Sequence, residues 1–509
     1  MSESASHSKR MATKVNRGLA WIGIASSLVS LLDLLAILIV LNYWVSAEDY
    51  GIATKCIWIL PILDQATDLG AGVIQRDDLS ESKMSTVFWV GLLTGFLVFV
   101  LILIGAPILA REFYGHAVVG SMLIAYGTKL LWQNLYIIPV ALMKRDLRFK
   151  ELSVIRIIAN VAEFAGKVGF AAALGPRHGI WCFVLGPLLR VLVTGIGAQI
   201  CQPYRPKMIL RLSEAWEYVT FGMKTSGSQI LFYFYTNVDY PVVGYYFGDI
   251  ALGFYRLAFE IVLEPVRMIS NVIVDIAFPA FARLRHQHDK LIAQFVSFTK
   301  LNLITVMTYS AIVFVAAEDV VEVIFPAFTG AATAVRVLCF VAVLRSVSFM
   351  IPPLLDGIGH PNRTFTYTLA AAITMPIAFI LGAVLLGEHF RFVSVAIAWS
   401  VGYPFAFAIL IYLAIYTLKW STTAYLRAIL GVALCTIAAA VAGLGAHRLL
   451  AEQAAWVRLL VTTITIVGVT GVLLAYTQGL SIRGAARALK GDETKSDEAE
   501  SRDVETGSR

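Results

Sequence analysis

Charge is scarce in this chain. Only 15% of its 509 residues are Asp, Glu, Lys or Arg, against 58% hydrophobic. A soluble chain carries about a quarter charged residues and is near half apolar. With a mean hydropathy of +0.75, this balance excludes a sizeable water-exposed domain. Cysteine motifs are missing too. Cys56, Cys182, Cys201, Cys339 and Cys435 are scattered through apolar runs with no CxxC, so they read as small core residues. No phosphate loop is present: EFAGKVG (163–169) has the Gly-Lys but neither the first Gly nor the Ser/Thr. HQH (286–288) lies in a basic loop without a third ligand nearby. Neither metal nor cofactor is expected. Long polar loops are lacking as well, which argues against a membrane enzyme that must hold a sugar donor outside the bilayer.

What the chain does have is apolar runs of membrane-spanning length. A span needs about 20 mainly apolar residues, and about fourteen stretches qualify. They lie near 17–44, 51–74, 84–110, 117–143, 151–174, 179–201, 215–247, 249–281, 291–317, 331–358, 364–386, 391–418, 423–446 and 454–477. The first run is too long for a signal peptide and has no convincing cleavage site. An all-α polytopic membrane protein is expected. The ends, 1–16 and 481–509, are polar and expected to be disordered tails.

The net charge of +7 is distributed as a topology signal, so no nucleic-acid partner is expected. Alternate loops hold Lys9, Arg10, Lys14 and Arg17; Arg76 and Lys83; Lys144, Arg145, Arg148 and Lys150; Arg205, Lys207 and Arg211; Arg283, Arg285 and Lys290; Arg363; Lys419; and Arg483, Arg487 and Lys490. The loops between carry little beyond Arg111, Arg177, Arg391 and Arg448. The positive-inside rule then places both termini in the cytoplasm. A weak internal repeat adds a division. FYGHAVVGSMLIAYG and PVALMKRDLRF, after the third and fourth spans, resemble FPAFTGAATAVRVLCFVAV and PPLLDGIGHPNRTF after the ninth and tenth. The expected domains are an N-lobe (17–207), a C-lobe (208–420) and a helix pair (421–480), the two six-helix lobes enclosing a central cavity.

Charges inside the spans form stripes. Arg256, Glu260, Glu264 and Arg267 fall on one helical face of roughly 80°. Arg156, Asn160, Glu163 and Lys167 form a second stripe. Asp33, Lys55, Asp64, Asp68, Lys129, Arg190, Lys224, Asp239, Arg336 and Arg345 are further intramembrane charges. Each costs about 2.5–3.5 kcal/mol at mid-bilayer if it faces lipid, so such residues turn inward. Two readings stand: internal ion pairs such as Arg256–Glu260, Glu163–Lys167 and Glu264–Arg267, or a hydrated cavity. The aromatic run LFYFYTNVDYPVVGYYF (231–247) likewise reads as an interface belt or as a sugar-stacking surface.

Four blocks, DLGAGVIQRDDLSESKMSTVFW (68–89), PVALMKRDLRFKELSV (139–154), NVDYPVVGYYFGDIALGFYRLAFEIVLEP (237–265) and FPAFARL (278–284), resemble the Wzx-type polysaccharide exporters of the MOP transporter superfamily. The resemblance spans roughly 15–420. It implies two six-helix lobes that alternate in access, and an undecaprenyl-diphosphate-linked oligosaccharide as cargo, for exopolysaccharide, capsule or O-antigen assembly. The location it implies is the bacterial inner membrane. Polysaccharide polymerase and chain-length machinery are the further partners implied. The chain departs from the family at Arg256, usually uncharged there, and at Glu260, often basic. The expected cargo site is Arg256, Arg267, Lys224 and Arg345, with Arg156 and Lys167, and with Glu260 and Glu264 holding the arginines. Asp33, Asp64 and Asp239 are the candidate ion-coupling residues. A cation-coupled multidrug exporter and a membrane enzyme of polysaccharide assembly are the alternatives.

Overall fold

The computed structural model describes residues 2–66, 70, 73, 80–420 and 422–478. Among these, all regular structure is helical. In chain order the helices are α1 (Ser2–Tyr43), α2 (Ala47–Ile57), α3 (Leu60–Ala66), α4 (Glu81–Ile108), α5 (Ala117–Gly127), α6 (Lys129–Trp132), α7 (Asn134–Arg145), α8 (Phe149–His178) and α9 (Cys182–Cys201). There follow α10 (Leu212–Asn237), α11 (Asp239–Phe247), α12 (Asp249–Leu284), α13 (His288–Val315), α14 (Ala317–Ile324), α15 (Ala332–Gly357), α16 (Pro361–Phe390), α17 (Val393–Leu418), α18 (Thr422–Leu449) and α19 (Ala455–Gln478).

Nine runs of the described residues are long and apolar enough to cross a membrane, Phe149–Cys201 being one run that holds both α8 and α9. The expected spans at 51–74, 117–143, 215–247 and 249–281 are not among them. The physical reason differs by span. Turns at Trp58–Ile59 and at Thr128 and Gln133 divide the first two into short helices, the first also running into residues outside those described, whereas the third keeps the 26-residue α10, which Lys224, Ser226, Ser228 and Gln229 make too polar. The fourth is unbroken α12, whose charged stripe lowers its hydropathy. Residues 67–69, 71–72 and 74–79, which hold Asp68 and most of the first block of family resemblance, lie outside the described residues, as does the tail from 479.

Local chemistry sets the ends of the key helices. Ser46 Oγ accepts the Asp49 N–H at 3.2 Å and caps α2. Gly248, at φ +82°, makes the sharp turn from α11 into α12, a backbone region that disfavours side chains. Inside α12, Pro265 has no N–H for the carbonyl of Ile261, and the Tyr309 hydroxyl from α13 donates to that carbonyl instead. The helix therefore runs through the proline.

α12 is the packing axis, with α2 on one side and α15 on the other. α1 packs on α8 and α8 on α9; α13 lies between α15 and α18; α16 pairs with α17 and α18 with α19. The α2–α12 crossing is tight: a Cβ on Gly51 would collide with the carbonyl of Asp249, and one on Gly253 with that of Ala47. Small residues permit such backbone approach where lipid supplies no hydrophobic drive between helices. The main core surrounds this axis and includes Tyr50, Tyr255, Phe281, Phe328 and Trp399, all under 2% exposed. At the far end of α13, fully buried Asp319 accepts His447 Nε2 at 2.7 Å and Arg458 Nε at 2.9 Å, tying α18 and α19 to α14.

Candidate functional site

The α12 stripe divides into two ion pairs. Arg256 Nη2 meets Glu260 Oε1, Arg256 Nη1 donates to Tyr240 Oη at 2.8 Å, and Arg256 Nε donates to Tyr50 Oη at 3.4 Å. Tyr50 lies on α2, so this pair bridges the helices of the first half to α12. Further along, Arg267 Nε donates to Glu264 Oε2 at 2.9 Å. Side-chain exposure rises along the stripe, from 8% at Glu260 to 35% at Glu264 and 48% at Arg267. The space beside α12 thus widens toward the end of the bundle that carries the basic loops.

Facing Arg256 is a second cluster, built from α1, α3, α6, α8 and α9. Glu163 pairs with Lys167 and with Arg190, both at 2.9 Å. Lys167 also reaches Asp33 at 3.3 Å. Asp64 pairs with Lys129 at 2.5 Å, and Tyr126 Oη both accepts from Lys129 at 2.9 Å and donates to Asp64 at 3.2 Å. Exposed Arg156 donates to Ser26 Oγ at 3.0 Å. A cavity of about 200 Å³ lies between the clusters, with Tyr50, Asp64, Glu163, Lys167, Arg190, Arg256 and Glu260 on its wall. At about 30 Å³ per water, it has room for only a handful of waters in this state.

Arg345 and Asp239 sit elsewhere, among α10, α11, α12, α15 and α17. Asp239 is fully buried and accepts from Tyr255 Oη and Trp399 Nε1, each at 2.8 Å, and from the Tyr240 N–H at 3.1 Å. The Arg345 guanidinium lies 5.3 Å from the Trp399 ring and 5.7 Å from Phe349. It is 9% exposed and makes no hydrogen bond or ion pair with a described residue. Tyr235, Tyr367 and Tyr403 link their hydroxyls beside it at 3.4 and 3.2 Å. Lys224 is on α10, and its side chain lies outside the described residues.

The structure therefore brings Arg256, Glu260, Lys167, Asp33 and Asp64 to one site and leaves Arg345 and Asp239 at another. Lys129, Arg190, Tyr126 and Tyr50 complete the first site. Sequence reasoning flagged Lys129 and Arg190 as intramembrane charges without assigning them to it. Tyr50 gave no signal, since its role exists only across the α2–α12 contact. Of the three carboxylates expected to bind a coupling ion, Asp64 meets Lys129 and Asp239 a tyrosine and a tryptophan, while Asp33 touches Lys167 at 3.3 Å and keeps 43% of its side chain exposed.

A family model described as "Polysaccharide biosynthesis protein" matches residues 40–327. The teichuronic acid biosynthesis protein TuaB of Bacillus subtilis (strain 168) is 26% identical over 384 residues, covering 74% of this chain and 77% of the relative. The lipopolysaccharide biosynthesis protein WzxC of Escherichia coli (strain K12) is 25% identical over 387 residues, covering 74% and 76%. Among solved structures, the lipid II flippase MurJ in an inward closed conformation superimposes with a TM-score of 0.69 at 13% identity, over 89% of this chain and 98% of that one. An inward-facing multidrug resistance MATE family transporter of the MOP superfamily gives a TM-score of 0.60 at 15% identity, over 79% and 96%. At these identities the two structural likenesses speak to the fold.

Proposed function

Because this chain belongs to the polysaccharide biosynthesis protein family, we propose that it is a flippase for a lipid-linked oligosaccharide, working by alternating access between its two halves. The observation that carries this reading is the small chamber of paired charges where α2, α3, α8 and α9 meet α12, inside a bundle with nine runs apolar enough to cross a membrane among its described residues. A bare hydrocarbon path would strip the polar groups of a sugar-diphosphate head at several kcal/mol each. The chamber, once widened, offers replacement partners while the polyprenyl tail stays in lipid. Arg190, Lys167 and Arg256 offer N–H groups for phosphate oxygens, and Arg does so through a planar fork. Arg345, nearly buried and in no hydrogen bond or ion pair with a described residue, is a further group that can turn its donors to an anion.

The reading extends to topology and partners. The apolar runs support about fourteen spans, the weak internal repeat a division at 17–207, 208–420 and 421–480, and the basic-loop alternation both termini in the cytoplasm. The cargo is an undecaprenyl-diphosphate-linked repeat unit in the inner membrane, handed on to polymerase and chain-length machinery. No bond is made or broken, so the protein is not an enzyme. A cation-coupled multidrug exporter shares the fold, but a carrier of cationic drugs needs an acidic chamber, and here every carboxylate of the chamber is matched by Lys or Arg.

Reconstitution with a fluorescent lipid-linked oligosaccharide tests this. Transfer between leaflets is expected without nucleotide and is expected to respond to an imposed proton or sodium gradient. Transfer that required nucleotide and ignored both gradients would overturn it.

A further inference from the structure

We propose that Lys55, His116 and Asp249 form a reversible latch that shuts the two halves together at the end of the bundle opposite the basic loops. The inference rests on the alternating-access reading, because a latch has meaning only if the halves part. Asp249 is the first residue of α12. Its carboxylate meets Lys55 Nζ from α2 and, at 2.6 Å, His116 Nε2 from the start of α5. Lys55 Nζ also donates to the Tyr114 carbonyl at 3.0 Å and lies 5.8 Å from the Tyr114 ring. Tyr114 is itself fixed by Trp58 Nε1, at 3.0 Å. The side chains of Lys55 and Asp249 are 6% and 15% exposed.

The surroundings make this a closure. Gly51, one turn before Lys55 on α2, and Gly253, one turn after Asp249 on α12, meet at a single close crossing of the two backbones beside the latch. At the same end, Asn42 Nδ2 donates to the Ile324 carbonyl at 2.8 Å, and Phe113 stacks on Tyr245 with centroids 5.4 Å apart. Each of these contacts joins residues before 202 to residues after 237. Toward the other end α12 loses such cover, as the exposure of Glu264 and Arg267 records.

An ion pair suits a closure that must reopen. Desolvation of a buried pair offsets most of its Coulomb gain. When the halves part, water rehydrates Lys55 and Asp249, so separation has a low barrier. Mispaired registers, in contrast, leave a buried charge alone. The pair thus selects the closed register, and the glycine crossing supplies the close packing.

The test is accessibility from the latched side. In a full-length variant with the native cysteines replaced, Ile57→Cys on the chamber wall is labelled with a membrane-impermeant maleimide. Lys55→Met and Asp249→Asn are each expected to raise the labelling rate from that side roughly tenfold. The exchange Lys55→Asp with Asp249→Lys is expected to bring it back toward the parent. In a second arm, Lys55→Cys with Asp249→Cys is expected to transport cargo as free thiols and to stop when the two thiols are joined by a short bifunctional thiol-reactive linker, which spans the length of the ion pair it replaces where a direct disulfide would not. Unchanged labelling in both single variants, or undiminished transport by the cross-linked pair, overturns the latch. Labelling requires no cargo, so a wrong cargo assignment leaves that arm intact and the two failures can be told apart.

Discussion

At the scale of the residue, Arg256 and Arg345 make opposite cases. Arg256 has Nε, Nη1 and Nη2 all engaged, with Tyr50, Tyr240 and Glu260. Removing it alone leaves Glu260 buried and unpaired, which costs about 3–5 kcal/mol, whereas removing both members of such a pair is near neutral. Arg256→Ala is therefore expected to lower the melting temperature of the solubilised protein sharply, and Arg256→Ala with Glu260→Gln to recover most of the loss, as read by thermal-shift chromatography. Arg345→Met should cost much less stability than Arg256→Ala, because Arg345 forms no direct ion pair with a described residue and Met keeps its packing on Trp399. Its expected defect is in cargo affinity, measured by titrating the reconstituted protein with lipid-linked oligosaccharide. The pairs Arg256–Glu260, Glu264–Arg267 and Glu163–Lys167 were legible in the sequence because helical spacing alone brings them together. Asp64–Lys129, Arg190–Glu163 and Lys55–Asp249 were not, because each joins two different helices. A sequence shows which face of a helix is polar but not which neighbour that face meets.

At the scale of the element, α12 shows how a proline can sit inside a long helix without ending it. The hydroxyl of Tyr309 takes the place of the N–H that Pro265 lacks, on the carbonyl of Ile261. Tyr309→Phe leaves that carbonyl without a donor, and an unsatisfied buried group costs about 1–3 kcal/mol. Pro265→Ala restores a backbone N–H in the same place. Tyr309→Phe is thus expected to destabilise the parent clearly and to have little effect in a Pro265→Ala background. Equal losses in both backgrounds, in a double-mutant cycle of melting temperatures, would refute this account. The apolar runs made α1, α4, α8, α9 and α13 to α19 other than α14 readable, but not the interruptions at Trp58, Thr128, Gln133 and Val238. Local hydropathy does not mark those turns: the one at Thr128 falls within an apolar stretch, Ala117–Trp132.

At the scale of the whole molecule, the contacts of α18 and α19 fall on α13 and α14, with Asp319 as the buried junction. The pair belongs with the second half of the chain. The topology remains open to a direct check. A reporter that fluoresces only in the cytoplasm, fused after Arg509, and a periplasmic reporter placed within 387–391 are both expected to signal; the inverse pattern would reverse the assignment of sides. All-helical membrane character was legible from composition, since burial of so much apolar surface has no soluble solution. The α2–α12 axis was not, because it depends on two glycines that the sequence does not set apart from any others.

The pairing of the chamber's cations has an electrical consequence. Lys129 sits on Asp64, Lys167 on Asp33 and Glu163, Arg190 on Glu163, Arg256 on Glu260 and Arg267 on Glu264. Charges that shift as neutral pairs carry no net charge through a field, and a membrane voltage acts only on net displacement, at roughly 2.3 kcal/mol per elementary charge per 100 mV. These chamber pairs should then add nothing to any voltage response of the empty carrier, which is left to charges outside them such as Arg345 and Asp239, while a diphosphate-bearing cargo brings charge of its own. Voltage steps on bilayers holding the protein are expected to give a clearly larger capacitive transient once an anionic lipid-linked oligosaccharide is added, and Arg256→Ala with Glu260→Gln is expected to leave the transient of the empty carrier unchanged. A change in that transient in the double variant would mean that the chamber charges do not move as neutral pairs.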